Sequence, residues 1–441
     1  MSNTGVNMAA SANVAESPVI TRGTPLKVAL AGFGTVGSAV AKILCSSQPD
    51  SKLQLTHVYN RAVARKRVSW APAELCWTER IEEVLESDAD VLVELVGGLK
   101  PAYDWVRAAL ESGKHVVTAN KQLIAHHGPE LAELAHRCKR TLAFGASVAG
   151  GVPVLDALQE GLAGDRLFRV CGVLNGTCNY ILTKIEREGT PFDQALAEAQ
   201  TAGFAEADPT DDVDGFDARA KLVILSRVGL NVVVRPEEIL CESIRSIGPV
   251  DFTYSHDLGC TVRQISRAEL HDGRYRAAVQ PALVPLDNPL AELVGGQNLV
   301  ISTGEFGGDT VFSGHGAGGN PTAVAVVSDL LGIARLHPHN GQNGEWMSPP
   351  RYSAHADFVT PWYLRFVVKD KPGIVAALAH VLAKHEINID ALLQKPGYDK
   401  SALAFVITLE ACSASKVKAA LAEIEQLDFL VQKPLSLPIL S

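Results

Sequence analysis

Short apolar runs recur along residues 26–150, each followed by a stretch with apolar residues three and four apart. The runs are LKVALAG, LQLTHVY, ADVLVELV, KHVVTA and TLAFGA; the stretches between them include PAYDWVRAALESG and GPELAELAHRCKR. Runs of this kind suit strands covered on both faces, and the longer period suits amphipathic helices. Strand and helix in alternation require crossovers, which predicts an α/β domain with a doubly wound parallel sheet of Rossmann type.

The pattern changes after residue 150. Longer β-branched runs, TVRQISRAEL, RYRAAVQPALV and NLVISTGE, are spread among helical stretches over 151–320. They predict an α+β unit whose sheet carries its helices on one face, read as a substrate and dimerisation domain. Residues 321–335 form a helical pattern that is apolar nearly all round, expected to pack back on the first domain. Residues 336–360, rich in His, Asn, Gly and Pro, read as a linker. Its histidines have no supporting ligand set and read as loop residues. Residues 361–441 then run strand, helix, strand, strand, helix, strand, a small βαββαβ unit. Residues 1–25 read as a disordered tail.

Composition narrows the function. A chain of 441 residues exceeds one average core, which agrees with several domains. Net charge is −9 and no long basic run occurs, which argues against a nucleic-acid partner. Eight cysteines lie scattered without metal-site spacing and read as reduced thiols of a cytoplasmic protein; Cys178 reads as a buried, inert one. The first 24 residues lack the basic start and apolar run of a signal peptide, and no stretch is long enough to span a membrane.

The motif GFGTVG follows the first strand and opens a helix. Gly32 permits a tight turn, Gly34 lets backbone approach a pyrophosphate, and Gly37 lets helix and strand pack closely. With Phe33, Thr35 and Val36 they form a dinucleotide-binding turn. The second strand ends in Asn60-Arg61, with Arg65, Lys66 and Arg67 nearby, where a binder of NAD usually has an acid. Cations there suit a ribose 2′-phosphate, so NADP(H) is the preferred cofactor and NAD(H) a possible one. Lys121, at the end of the later strand in VVTANK, lies where ligands bind in open α/β sheets; a surface lysine capping a loop is the plainer alternative.

A second constellation lies in AEADPTDDVDGFDARAKLVIL, residues 205–225. Six carboxylates fall between Glu206 and Asp217, and the chain then turns apolar. Pro209 and Gly215 make 206–214 a loop, and a helix is expected from about Phe216. Asp217 and Lys221 stand one turn apart on a helix with little polar face. An amine aimed by a carboxylate in such surroundings can give a proton to a developing alkoxide. Glu206 and Asp212 could hold a substrate ammonium group, whereas Asp211 and Asp214 read as helix N-terminal acids.

GFGTVG, VTANK, SVAGGVP, NGTCNYIL, GFAEADPTDDVDGFDARAKL and GHGAGGNPTAVAVVSDL occur in an order that resembles homoserine dehydrogenases over about 26–335. The resemblance implies reversible NAD(P)H-dependent reduction of L-aspartate 4-semialdehyde to L-homoserine, on the way to threonine, isoleucine and methionine. It implies that Lys221 donates the proton and Lys121 lies between nicotinamide and substrate, a ranking that sequence leaves open. Glu206 and Asp217 would contact homoserine, and backbone at Gly203, Gly316 and Gly318 would line the cofactor. Thr177, in NGTCNYIL, reads equally as a substrate-side hydroxyl or a helix cap. The family's monovalent-cation site would use carbonyls of Val148, Gly150 and Val152, but its glutamate position is Gly145 here, which counts against sodium or potassium binding. The last unit resembles an ACT domain, with Asp370-Lys371-Pro372-Gly373 as its first turn. That implies a threonine effector or a purely structural dimer-former, and a homodimer or homotetramer. Another amino-acid or semialdehyde dehydrogenase, or a non-catalytic nucleotide and amino-acid sensor, are the alternative functions.

Overall fold

The computed structural model describes residues 25–46, 52–336 and 349–440. The expected tail, save Pro25, and residues 337–348 of the expected linker, with His337 and His339, lie outside the described residues.

Six parallel strands form the first sheet: β1 (Leu26–Ala31), β2 (Leu53–Tyr59), β3 (Cys76–Thr78), β4 (Val91–Glu94), β5 (His115–Thr118) and β6 (Leu142–Ala143). Their order, β3-β2-β1-β4-β5-β6, reverses direction at β1, which opens a crevice beyond the carboxyl ends of the strands. The apolar runs mark five of these strands. β3 escaped them because three residues give no periodicity, and only Leu142–Ala143 of TLAFGA is strand, since Gly145–Ser147 turns into a 3₁₀ segment.

The second sheet has the order β12-β11-β7-β9-β10-β8. Its members are β7 (Leu167–Val173), β8 (Leu240–Cys241), β9 (Cys260–His271), β10 (Arg274–Pro285), β11 (Gln297–Gly304) and β12 (Gly308–His315). The three β-branched runs became β9, β10 and β11. The helix Phe216–Leu230 packs on one face against Val170, Ala268 and Val279. The other face is closed by loop residues Leu290 and Leu293 and by Leu440, which meet Ile265, Val284 and Leu299.

The helix Gly319–Leu336 returns to the first sheet. Ala323, Val326, Leu330 and Ile333 share a core with Val40, Ala41 and Leu44 of the helix Thr35–Ser46. Finally β13 (Val359–Val368), β14 (Ile389–Leu393), β15 (Leu403–Ser413) and β16 (Leu435–Pro438) make an antiparallel sheet in the order β14-β15-β13-β16, with helices Ile374–Lys384 and Ala414–Ile424.

This last unit is joined to the rest by a buried charge. Asp251, fully buried on the helix Pro249–Asp257, accepts from Arg365 Nη1 at 2.6 Å and from Tyr363 OH at 3.1 Å, both on β13. Around them Ile247, Phe252 and Tyr254 pack with Tyr363, Val406 and Leu437 in one core. Removing one member of a buried pair strands the other charge. Arg365→Ala should therefore cost about 3–5 kcal/mol, read as a lowered thermal midpoint, while Arg365→Ala with Asp251→Ala should recover part of the loss.

Candidate active site in the crevice beyond the parallel sheet

The turn after β1 shows why its glycines are needed. Gly32 has φ +111°, and a Cβ there would lie 2.8 Å from the Leu95 carbonyl oxygen; one on Gly37 would overlap the Gly32 oxygen at 2.1 Å. Gly34 has nothing within 4 Å of that position and is exposed, as is Thr35. The helix Thr35–Ser46 begins there, so its free N–H groups face open space suited to a phosphate. Phe33 is buried against Trp77, with ring centroids 4.8 Å apart, and can offer only backbone to a ligand. Arg61 is exposed at the end of β2, where the Asn60 side chain accepts from the Ala62 N–H.

A cavity of about 920 Å³ runs on from Val36. Its wall includes Lys121, Thr177, Gly203, Asp212, Asp217 and Lys221, and the turn containing Gly316 and Gly318. Gly319 packs against Thr35, bringing the two glycine turns together.

Asp217 organises the far end. Its Oδ2 lies 2.8 Å from Lys221 Nζ, and its Oδ1 lies 3.0 Å from Lys121 Nζ. Lys121 opens the helix Lys121–Arg137, which starts at the crevice because Asn120 caps it: Asn120 Oδ1 accepts from the Leu123 N–H. Lys221 also donates to the Leu174 carbonyl at 2.7 Å. The helix carrying Asp217 is forced apart from the acidic loop by Gly215, φ +85°. Within that loop, Thr210–Val213 is a short helical turn and not the irregular chain expected.

Burial alone would raise the Asp217 carboxyl, but the two ammonium groups outweigh it and hold it well below the usual carboxylate range. Asp217 in turn raises Lys121 against the opposing effect of burial, which keeps that amine protonated. Asp212 behaves in the opposite way: burial raises it, with Asn175 opposing.

Asn175 is a residue that the sequence reading left without a role. Its Oδ1 accepts from the Cys178 N–H and caps the helix Gly176–Glu188, while its Nδ2 donates to Asp212 Oδ1 at 2.6 Å and Asp217 Oδ2 at 2.8 Å. The cap is thus Asn175 and not Thr177, whose hydroxyl donates to the Phe204 carbonyl at 2.7 Å and remains on the cavity wall. The signal was present, since Asn before Gly-Thr-Cys is an N-cap pattern. Buried Glu94 was also missed. It accepts from the Val96 and Gly97 N–H groups and from Thr118, and so shapes the loop above β4. Glu206 is exposed on the loop after Phe204 and does not line the cavity. Cys178 is fully buried, its thiol pushed well up by burial, with Asp212 and Asp217 adding to this.

The donor set expected for a monovalent cation is altered. Gly145 supplies no carboxylate, and the Val152 carbonyl accepts from the Val154 N–H at 2.8 Å. A Cβ on Gly145 would fall 2.7 Å from Asp329 Oδ1, so another side chain fills that space. Among the described residues no cluster of three or more His, Cys, Asp or Glu could hold a metal, and no helix is long and apolar enough to cross a membrane.

Family models for homoserine dehydrogenase match residues 153–331 and, for its NAD-binding domain, 32–145. The chain is 36% identical over 433 residues to the homoserine dehydrogenase of Synechocystis sp., covering 94% of this chain and all of that one. It belongs to the homoserine dehydrogenase family. Residues 362–429 match the ACT domain. The homoserine dehydrogenase of Bacillus subtilis is 37% identical over 395 residues, covering 87% of this chain and 91% of that one. Among solved structures, the homoserine dehydrogenase of Thiobacillus denitrificans superposes with a TM-score of 0.88 at 32% identity, over 95% of this chain and 99% of that one. A hyperthermophilic archaeal homoserine dehydrogenase in complex with NADPH superposes with a TM-score of 0.61 at 27% identity, over 72% of this chain and all of that one.

The charge cluster has a defined pH window. Asp217 is depressed from 3.8, so its ion pairs contribute stability above that value, lost as pH falls through the folded pKa. Lys121 is raised from 10.5, so its share is complete below that value and lost as pH rises through the folded pKa. The difference in thermal midpoint between the wild type and Asp217→Asn should be flat from roughly pH 5 to 9 and shrink on either side. A difference that grows steadily through this range would contradict the assignment.

Proposed function

We propose that this chain reversibly reduces L-aspartate 4-semialdehyde to L-homoserine with NADP(H) as its preferred cofactor. The observation that carries the reading is one buried carboxylate holding two ammonium groups in the cavity that continues from the dinucleotide turn. A bound reduced nicotinamide supplies the hydride. Lys221, aimed by Asp217, gives its proton to the oxygen that gains negative charge, and Lys121 stabilises the same charge from the nucleotide side. Asp212, on the cavity wall, holds the substrate ammonium group. The N–H groups at the start of the helix Gly176–Glu188, with Thr177, suit the substrate carboxylate. Holding the aldehyde against the nicotinamide supplies a large part of the rate.

The preference for NADP(H) rests on Arg61 and Arg65, exposed where an acid would serve NAD(H). A cavity of about 270 Å³ beside Asp370, Lys371 and Gly373 suits an amino-acid effector of the size of threonine. We read the enzyme as a cytoplasmic homodimer or homotetramer, the closed symmetries most frequent among soluble homo-oligomers.

An NADPH-coupled assay with aspartate semialdehyde, with and without threonine, tests the whole reading. Lys221→Ala should lower turnover by roughly 10²–10⁴-fold while NADPH fluorescence shows normal binding; near-normal turnover would remove Lys221 from the chemistry. Arg61→Ala should raise the KM for NADPH roughly tenfold, about the worth of one charge-assisted hydrogen bond, and leave that for NADH unchanged.

A further inference from the structure

Asp329 is an acid that the reaction does not use. It lies on the helix Gly319–Leu336, about three turns beyond the Gly316–Gly318 segment of the cavity wall. Its Oδ2 accepts from the Gly145 N–H at 3.0 Å, 184 residues away in sequence, and the Ala146 N–H also stabilises the carboxylate. Burial, with Asp156 facing it, pushes the Asp329 carboxyl up to about 7.

What this acid holds is the floor of the crevice. Gly145–Ser147 is a single 3₁₀ turn after β6, and Ala146, Ser147, Ala149 and Gly150 all line the cavity. The backbone there is unusual: Ala149 has φ +55° although it carries a Cβ, and Gly150 follows at +51°. A residue of that kind persists only when its surroundings over-determine it. On one side the turn meets the glycine segment, since a Cβ on Gly150 would lie 2.7 Å from the Gly316 carbonyl oxygen. On the other it is tied to Asp329. A side chain at 145 would displace that tie, because even its first carbon would come within 2.7 Å of Asp329 Oδ1.

We propose that Asp329 is a positioning residue: bonded to the backbone at Gly145, it holds the strained turn that forms the nicotinamide-side floor, with glycine at 145 as its necessary complement. The inference rests on the reading of the crevice as a nicotinamide dinucleotide site. It makes the helix Gly319–Leu336 do two things for one ligand, lining the cavity at its start and bracing the floor from its middle.

Measured by NADPH fluorescence, Asp329→Ala should raise the Kd about fivefold or more, the usual worth of a hydrogen bond or two, with kcat at saturating cofactor little changed. Asp329→Asn, which keeps an acceptor for the Gly145 N–H, should restore most of the affinity. Gly145→Ala should weaken binding in the Asp329 background and add nothing in Asp329→Ala, where the methyl has room. A wild-type Kd in Asp329→Ala, or strictly additive losses in the double variant, overturns the proposal. Should Asp329→Ala fail to fold by circular dichroism, Gly145→Ala decides, and an unchanged Kd there overturns it. Wild-type binding should be equal in potassium and tetramethylammonium chloride; tightening by potassium would mean that an ion holds the turn instead. A wild type that binds no NADPH would sink the reading of the crevice and not this inference alone.

Discussion

A single carboxylate, Asp217, makes the site possible. It is almost completely buried, a position in which an isolated charge is strongly disfavoured. Two ammonium groups resolve the difficulty, and they come from different parts of the molecule: Lys221 from the same helix, and Lys121 from a helix of the parallel-sheet unit. The cluster is therefore complete only when the two sheets are docked against each other. Packing between the helices Phe216–Leu230 and Lys121–Arg137, with Ile124 and Ala125 in the same core as Ala220 and Ile224, maintains that docking. Stability and the proposed chemistry thus draw on the same contact.

Around that contact, polar side chains mostly do two jobs. Asn120 and Asn175 each cap a helix with the amide oxygen and use the amide nitrogen elsewhere, on the Gly98 carbonyl or on Asp212 and Asp217. Each cap puts a helix N-terminus, with its partial positive charge, at the wall of the cavity. Lysines, capped helix ends and the glycine turns together give a crevice suited to ligands that carry phosphate, carboxylate and a developing oxyanion.

The ACT unit is not hung on a loose tether. Asp251, Arg365 and Tyr363 form a buried polar joint, and the surrounding core includes Ile181, Leu182 and Ile185 of the very helix that Asn175 caps. The C-terminal sheet and the helix that Asn175 caps at the wall of the crevice thus share one packed core.

Much of this was legible from local pattern. Apolar runs marked five of six parallel strands, the glycine spacing marked the dinucleotide turn, and a separation of four residues brought Asp217 and Lys221 to one face, because strand, turn and helix geometry each act over a few residues. Family motifs extended that reading to the reaction. Other features depend on long-range packing. Lys121 sharing Asp217, Asn175 bridging two acids, and Asp329 filling the space left by Gly145 join residues tens to hundreds of positions apart. Glu206 lying off the cavity wall is likewise a matter of loop conformation. Such contacts have no period and no spacing. They arise when separately folded layers meet and their buried charges must find partners.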